Sequence, residues 1–362
     1  MFSTKNLFTW AFIMLAFVAN AQPWTYDFGT GTGTANNTNA GTGNTTFFTG
    51  TPSGGGTYRV RIGKAGGSLI LANPGTTLGT GTEAQLNAAT STSTNKFSIY
   101  TWTAPSTVAY LKAKIRTTSA GTGNLAIFIG SLAGGTSNNG FTGEYNTSVA
   151  SMSIVYSGGA ISAVNRRISG ANTAITGSGL AKDTDQLIEI YCNNGAASAD
   201  YYKGGTTYTL PTQTWDLWVG GTKITPTGGW AKAGTLAAGT NLEAISFCAE
   251  SSTTNQAFMY IDDLEYSNAM PVAPPCTAPA TQASNLTFPG NSTTTLDLTW
   301  TNGDGAGRVI KMNTSNSFTA PADGSNPAAN LNYAGTGEQV VFNTPNPLLV
   351  RTCTHTTLAN LN

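Results

Sequence analysis

The chain has 362 residues, only 9% of them charged, and its 17 Lys+Arg balance its 17 Asp+Glu to a formal net charge of zero. So even a balance leaves no basic field to hold a phosphate backbone or an anionic membrane, which sets nucleic-acid and lipid-surface functions aside. The 40% of hydrophobic residues fall in short alternating runs among 43 glycines, which describes a core divided over many short strands joined by Gly/Thr/Asn turns.

In chain order, Lys5 supplies a positive start, Leu7 to Val18 an apolar run, and Ala19-Asn20-Ala21 a small-residue cleavage site, so residues 1–21 read as a signal peptide. The apolar run is shorter than the roughly 20 residues a membrane helix requires. The mature chain, from Gln22, is expected to be exported, secreted or held at the cell surface.

Alternation then predicts strands at Tyr58–Ile62, Ser68–Ala72, Lys96–Thr103, Val108–Thr117, Asn124–Ile129 and Ser151–Tyr156. Further strands are predicted at Ile161–Ile168, Gln186–Cys192, Thr214–Val219, Leu242–Ala249 and Phe258–Tyr266. In VAYLKAKIR, Leu111, Ala113 and Ile115 share one face while Lys112, Lys114 and Arg116 share the other, the pattern of an antiparallel sandwich strand with one dry face. In TWDLWVGG, Trp215, Leu217 and Val219 mark the buried side, which places Asp216 and Trp218 on the wet one. Trp218 is thus a candidate aromatic platform for a sugar, with Asp216 to grip hydroxyls and Trp102 and Trp230 as further candidates.

The closing run AFMYIDDLEYS carries two adjacent carboxylates. Strict alternation sets Asp262 with Phe258, Tyr260, Leu264 and Tyr266, where a bare carboxylate must be paired, hydrogen-bonded or metal-bound. Calcium suits exported, oxygen-rich sites; the other reading is an aspartate on turn amides or on a basic side chain.

Residues 22–267 are about the size of one large β-sandwich. SNAMPVAPPC follows, with three prolines between Pro271 and Pro275, so residues 268–275 form an extended linker. Beyond it, LDLTW puts Leu296, Leu298 and Trp300 inward, an Asn-Gly-Asp-Gly turn follows, and a second strand covers Arg308–Met312. Cys192, Cys248, Cys276 and Cys353 show no Cys-x-x-Cys spacing and favour two disulfides over metal ligation. Of three connectivities, one bridge per module gives Cys192–Cys248 and Cys276–Cys353.

Catalytic patterns are sparse. The only histidine, His355, sits on a predicted strand among threonines, which leaves no base for an acyl-transfer triad. GTGTGTANN lacks the Lys-Ser/Thr and the strand-to-helix setting of phosphate loops. Glu144, Glu189, Glu243 and Glu250 could supply a glycosidase pair, but such glutamates also belong on the wet face of any sandwich.

The runs CTAPATQASNLTF, LDLTWTNGDGAGRVIKM, TAPADGSN and LLVRTCTHTTLANLN resemble the fibronectin type III-like modules of large secreted Bacteroidota proteins. The resemblance covers nearly all of residues 276–362 and implies a module that stops before its last two strands. QPWTYDFGTGTG, TWDLWVGGTKI and AFMYIDDLEYS resemble laminin-G-like and carbohydrate-binding-module jelly rolls. That resemblance implies a structural calcium held by an acidic residue of the final strand, here Asp262 or Asp263, with N-terminal oxygens such as those of Asp27. The expectation is an all-β protein, a jelly-roll sandwich followed by an incomplete immunoglobulin-like sandwich. Its expected role is non-catalytic binding or adhesion to an extracellular polysaccharide or surface glycan; the alternatives are an accessory region of a larger hydrolase and a structural spacer.

Overall fold

A computed structural model describes residues 23–36, 57–62, 66–79, 81–89, 94–131, 147–168, 171–250, 252–273, 280–281, 283–304, 308–320, 327–344 and 350–355. The predicted signal peptide and Cys276 lie outside the described residues. The chain divides into two compact units, Met1–Ala273 and Pro274–Asn362.

Strand is the regular secondary structure of the first unit throughout its described residues. Its strands open with β1 (Trp24–Tyr26), β2 (Gly33–Asn36), β3 (Thr57–Arg61), β4 (Ser68–Ala72), β5 (Glu83–Asn87) and β6 (Asn95–Tyr100). There follow β7 (Val108–Ser119), β8 (Gly123–Gly130), β9 (Ser148–Ser157), β10 (Ala160–Ile168), β11 (Ala171–Ala174) and β12 (Gln186–Asn193). The last are β13 (Ala199–Lys203), β14 (Thr206–Leu210), β15 (Thr214–Val219), β16 (Thr222–Ile224), β17 (Ala244–Ala249) and β18 (Ala257–Ser267).

Two antiparallel sheets form a jelly-roll sandwich. One runs β16-β15-β12-β7-β18-β5-β4-β2, with β1 pairing β18 beyond the end of β5. The other runs β11-β10-β9-β8-β17-β6-β3. Alternation decides the interior: Leu111, Ala113 and Ile115 of β7, Trp215, Leu217 and Val219 of β15, and Ile245 and Phe247 of β17 all enter one core cluster. Strand β6 stops at Tyr100, short of the predicted Thr103, because Thr101 and Ala104 take the left-handed backbone (φ 55° and 48°).

The β13–β14 hairpin pairs only with itself and lies on the outer face of the first sheet, where its Tyr201 and Tyr208 meet Trp218 and Tyr191. It turns at Gly204-Gly205, both with positive φ, the backbone a two-residue hairpin needs.

The cysteine pairing expected for this unit is corrected. Cys192 and Cys248 form no disulfide. Cys192 points between the sheets with Ile188 and Ile190, whereas Cys248 points outward with Ala244 into a cluster with Tyr100, Ala126 and Phe128. The two thiols therefore face different layers, and no rotamer joins them.

The second unit contains β19 (Ser284–Thr287), β20 (Thr295–Thr301), β21 (Arg308–Met312), β22 (Asn332–Tyr333), β23 (Gln339–Thr344) and β24 (Val350–His355). β19-β20-β24-β22 form one sheet and β21-β23 a second. Leu296, Leu298 and Trp300 are buried with Tyr333, Val341 and Phe342, as the LDLTW alternation requires. Leu286, Trp300, Val309 and Phe318 line an apolar groove of about 580 Å³. Cys353 is placed by its backbone alone, opposite Leu296.

Candidate functional site

The two adjacent carboxylates sit on a β-bulge. β18 pairs β7 at Asp262↔Lys114 and next at Glu265↔Lys112, so two residues of β18 oppose the single Ala113. Asp263 absorbs the extra residue at φ 49°, a left-handed backbone that aspartate tolerates better than most side chains. The bulge resets the alternation, and Leu264 and Tyr266 join Met259 and Ile261 in the core instead of sharing a face with Asp262. Both carboxylates stay on the outer side, and no charged group enters the interior at this strand.

Beside the bulge the outer face opens into a cleft of about 690 Å³. Thr25, Tyr26 and Asp27 form one wall, Lys112 and Lys114 of β7 the floor, Asp185–Leu187 the opposite wall, and Asp263–Glu265 the bulge side. Ladder register produces this grouping: Glu189, Lys112, Glu265 and Thr25 form one cross-strand row, and Leu187, Lys114 and Asp262 the next. Lys112 pairs with Glu265 at 3.1 Å and Arg116 with Asp185 at 2.6 Å, both pairs partly exposed. Asp27 accepts the Gly29 N–H at 3.1 Å. Asp263 is exposed toward the cleft.

The other end of the same face is closed. Trp218 is not an open platform: it is only 6% exposed, under the β13–β14 hairpin. Its Nε1–H donates to the Tyr201 hydroxyl at 3.0 Å, which in turn donates to Asp216 at 2.7 Å. Burial, then the bond to Asp216, raises the Tyr201 phenol above its ordinary value and keeps it a donor. Asp216 also pairs with Lys223 at 2.6 Å, and Glu189 pairs with Lys203 of the hairpin. These buried carboxylates are neutralised by lysines and shut off from the cleft. The sequence does signal the covering hairpin, as Gly-Gly between Asp-Tyr-Tyr-Lys and Thr-Thr-Tyr.

The other expected aromatics are also structural. Trp102 is 3% exposed and packs against Trp24 and Tyr266 at ring distances of 5.9 and 5.3 Å. Trp230 is half-buried, donating to the Ile224 carbonyl at 3.1 Å and lying 4.0 Å from Trp215.

The three aspartates expected to share a calcium are not gathered. Asp27 and Asp263 line the cleft, while Asp262 is 3% exposed, faces Lys114 and accepts its neighbour's N–H at 2.8 Å. Among the described residues no three His, Cys, Asp or Glu side chains are placed to hold a metal.

Burial, reinforced by the charges of Asp263 and Glu83 and opposed by the Asp263 N–H and Lys114, raises the Asp262 carboxyl to about 6. A carboxyl raised by folding adds stability that is complete below its unfolded value near 3.8 and lost as pH rises through about 6. Asp262→Asn is therefore expected to flatten the fall in Tm between pH 4 and pH 7.5, with a gain at pH 7.5 of no more than about 3 kcal/mol. Thermal melts across that range would show it, and an unchanged slope would contradict it.

No family model matches the chain, and no curated protein matches it. Among solved structures, a "Sialidase" shares 10% identity with TM-score 0.37 over 58% of this chain and 17% of its own. The potassium-bound Emp46p carbohydrate recognition domain shares 9% identity with TM-score 0.30 over 59% of this chain and 87% of its own. Apo Crh5 transglycosylase shares 12% identity with TM-score 0.34 over 70% of this chain and 90% of its own. At these values the likeness carries no functional assignment.

Proposed function

We propose that the first unit is a non-catalytic binding module, exported or held at the cell surface, for a polyhydroxylated polymer such as a polysaccharide or surface glycan. The observation that carries this reading is the cleft of about 690 Å³ with carboxylates and ammonium groups interleaved along it. A sugar hydroxyl both donates and accepts. Asp27, Asp263 and Glu265 offer acceptors and Lys112 and Lys114 donors within one cleft. With Trp102 and Trp218 buried and no tryptophan lining the cleft, recognition there rests on hydrogen bonds and not on ring stacking.

Affinity electrophoresis of the full chain through gels holding neutral and acidic polysaccharides tests this. At least one polymer is expected to retard the wild type. Asp263→Asn with Lys112→Gln is expected to weaken that binding about tenfold or more, the effect of losing hydrogen bonds to charged groups. Asparagine suits the left-handed backbone, so the fold is retained. Failure to bind any polymer, or equal retardation of the variant, would overturn the reading and favour a spacer.

A further inference from the structure

Arg166 of β10 is a buried cation whose fork is mostly unused. Its register partner Met152 and its strand neighbour Val164 both lie in the core cluster, so Arg166 is directed into the sandwich, and it is 1% exposed. Its guanidinium lies 5.5 Å from the Trp230 ring centroid, and Nη2 donates to the Thr227 carbonyl at 2.9 Å. Among the described residues Nε and Nη1 have no hydrogen-bond partner, and every described ion pair belongs to another base. Burial lowers its pKa from the ordinary arginine value.

A buried guanidinium with no counter-charge is costly, and folded proteins otherwise pair such groups or coordinate something with them. The Thr227 carbonyl takes only Nη2, the nitrogen common to the two edges of the fork. Nη2 carries one N–H for each edge, so the edge that meets the carbonyl keeps one N–H unused and the other edge keeps both, with Nε–H on one edge and Nη1–H on the other. A planar or tetrahedral oxyanion can engage either edge by sharing or displacing that single carbonyl. Thr225, Thr227, Gly228 and Gly229 are all exposed, so the element lying against Nη2 is itself at the surface. A Cβ at Gly228 would make ordinary contact with Nη2 at 3.8 Å, which places this loop beside the guanidinium, and its φ of 80° is the feature that suits glycine.

We propose that Arg166 anchors an oxyanion site of this protein, with residues 225–229 as its cover and the half-buried Trp230 as its rim. The ligand group is a carboxylate or a phosphate. Arg166 stands on the seven-stranded sheet and its cover on the loop after β16, so the site is independent of the cleft reading.

The test uses the full chain in sodium chloride, acetate, galacturonate or inorganic phosphate at matched ionic strength, read by tryptophan fluorescence and by Tm. A saturable fluorescence change and a rise in Tm are expected with at least one oxyanion, and the acetate, galacturonate and phosphate arms identify which. Arg166→Met is expected to weaken that response about tenfold or more, the loss of a charge-assisted pair. In chloride alone the same variant is expected to melt at or above the wild-type temperature, because an unpaired buried charge has been replaced by an apolar chain of similar length. Arg166→Lys, which keeps the charge but not the fork, is a second variant expected to lose most of the response. No saturable oxyanion effect, an undiminished response in Arg166→Met, or destabilisation of that variant in chloride would each overturn the proposal.

Discussion

Trp215→Ala is expected to destabilise the first unit by about 3–5 kcal/mol, the range for deleting a large aromatic from a packed core. Trp215 is fully buried on the inner face of β15, meets the Trp230 ring tilted at 46° with centroids 4.0 Å apart, and donates its Nε1–H to the Ala231 carbonyl at 3.0 Å. The side chain thus joins a sheet strand to the loop that leads away from β16. Its loss opens a cavity between rigid sheets, which cannot collapse around it as a loop could. It also orphans a carbonyl and removes the backing of the Trp230 ring. For a unit of this size the loss corresponds to a Tm lower by about 6–20 °C. Calorimetry of the full chain would measure it. A cost below about 1 kcal/mol would mean that the core relaxes around the gap, contrary to the close packing inferred here.

Most of the architecture was legible because two-residue alternation is a local signal: VAYLKAKIR and TWDLW show their buried faces without any tertiary knowledge. The bulge at Asp262–Asp263 was not legible, because it depends on how β18 pairs with β7. Under strict alternation AFMYIDDLEYS has no clean apolar face, whereas one extra residue gives it one, through Met259, Ile261, Leu264 and Tyr266. That irregularity was itself the clue. Trp218 misled for a different reason. Alternation reports which side of a sheet a residue occupies, not whether another element covers that side, and the β13–β14 hairpin supplies the cover. The cleft could not be read at all, because it depends on β1, β7 and β18 becoming neighbours across more than 200 residues of chain. Arg166 gave no signal either, since its strand parity does not reveal a missing partner.

Glu83→Ala is expected to be nearly as damaging, at about 3–5 kcal/mol, although it removes no aromatic surface, because hydrogen bonds to a buried charge are worth roughly 1.5–3 kcal/mol each. Glu83 is 2% exposed, and its carboxylate accepts the N–H of Thr76 at 3.1 Å, of Thr77 at 3.0 and 3.2 Å and of Leu78 at 2.7 Å. Those amides belong to the turn that brings Gly79 close to Lys114 and Asp262, where a Cβ would lie 3.5 Å from Nζ and 3.8 Å from Oδ2. Without Glu83 three amides lose their acceptor at once, and water must enter to reach them. Glu83→Gln keeps one carbonyl oxygen but turns an –NH₂ toward the remaining donors, so it should fall between wild type and Glu83→Ala. A second readout separates this role from simple cavity formation. The Glu83 charge helps to raise Asp262, so in both variants the Asp262 midpoint should move down from about 6 toward the ordinary carboxylate value. Carboxyl titration by NMR would follow it. Loss of stability with the Asp262 midpoint unmoved would show that Glu83 supports the turn but does not act on the bulge, whereas movement of both ties the turn, the bulge and the adjoining cleft into one electrostatic unit.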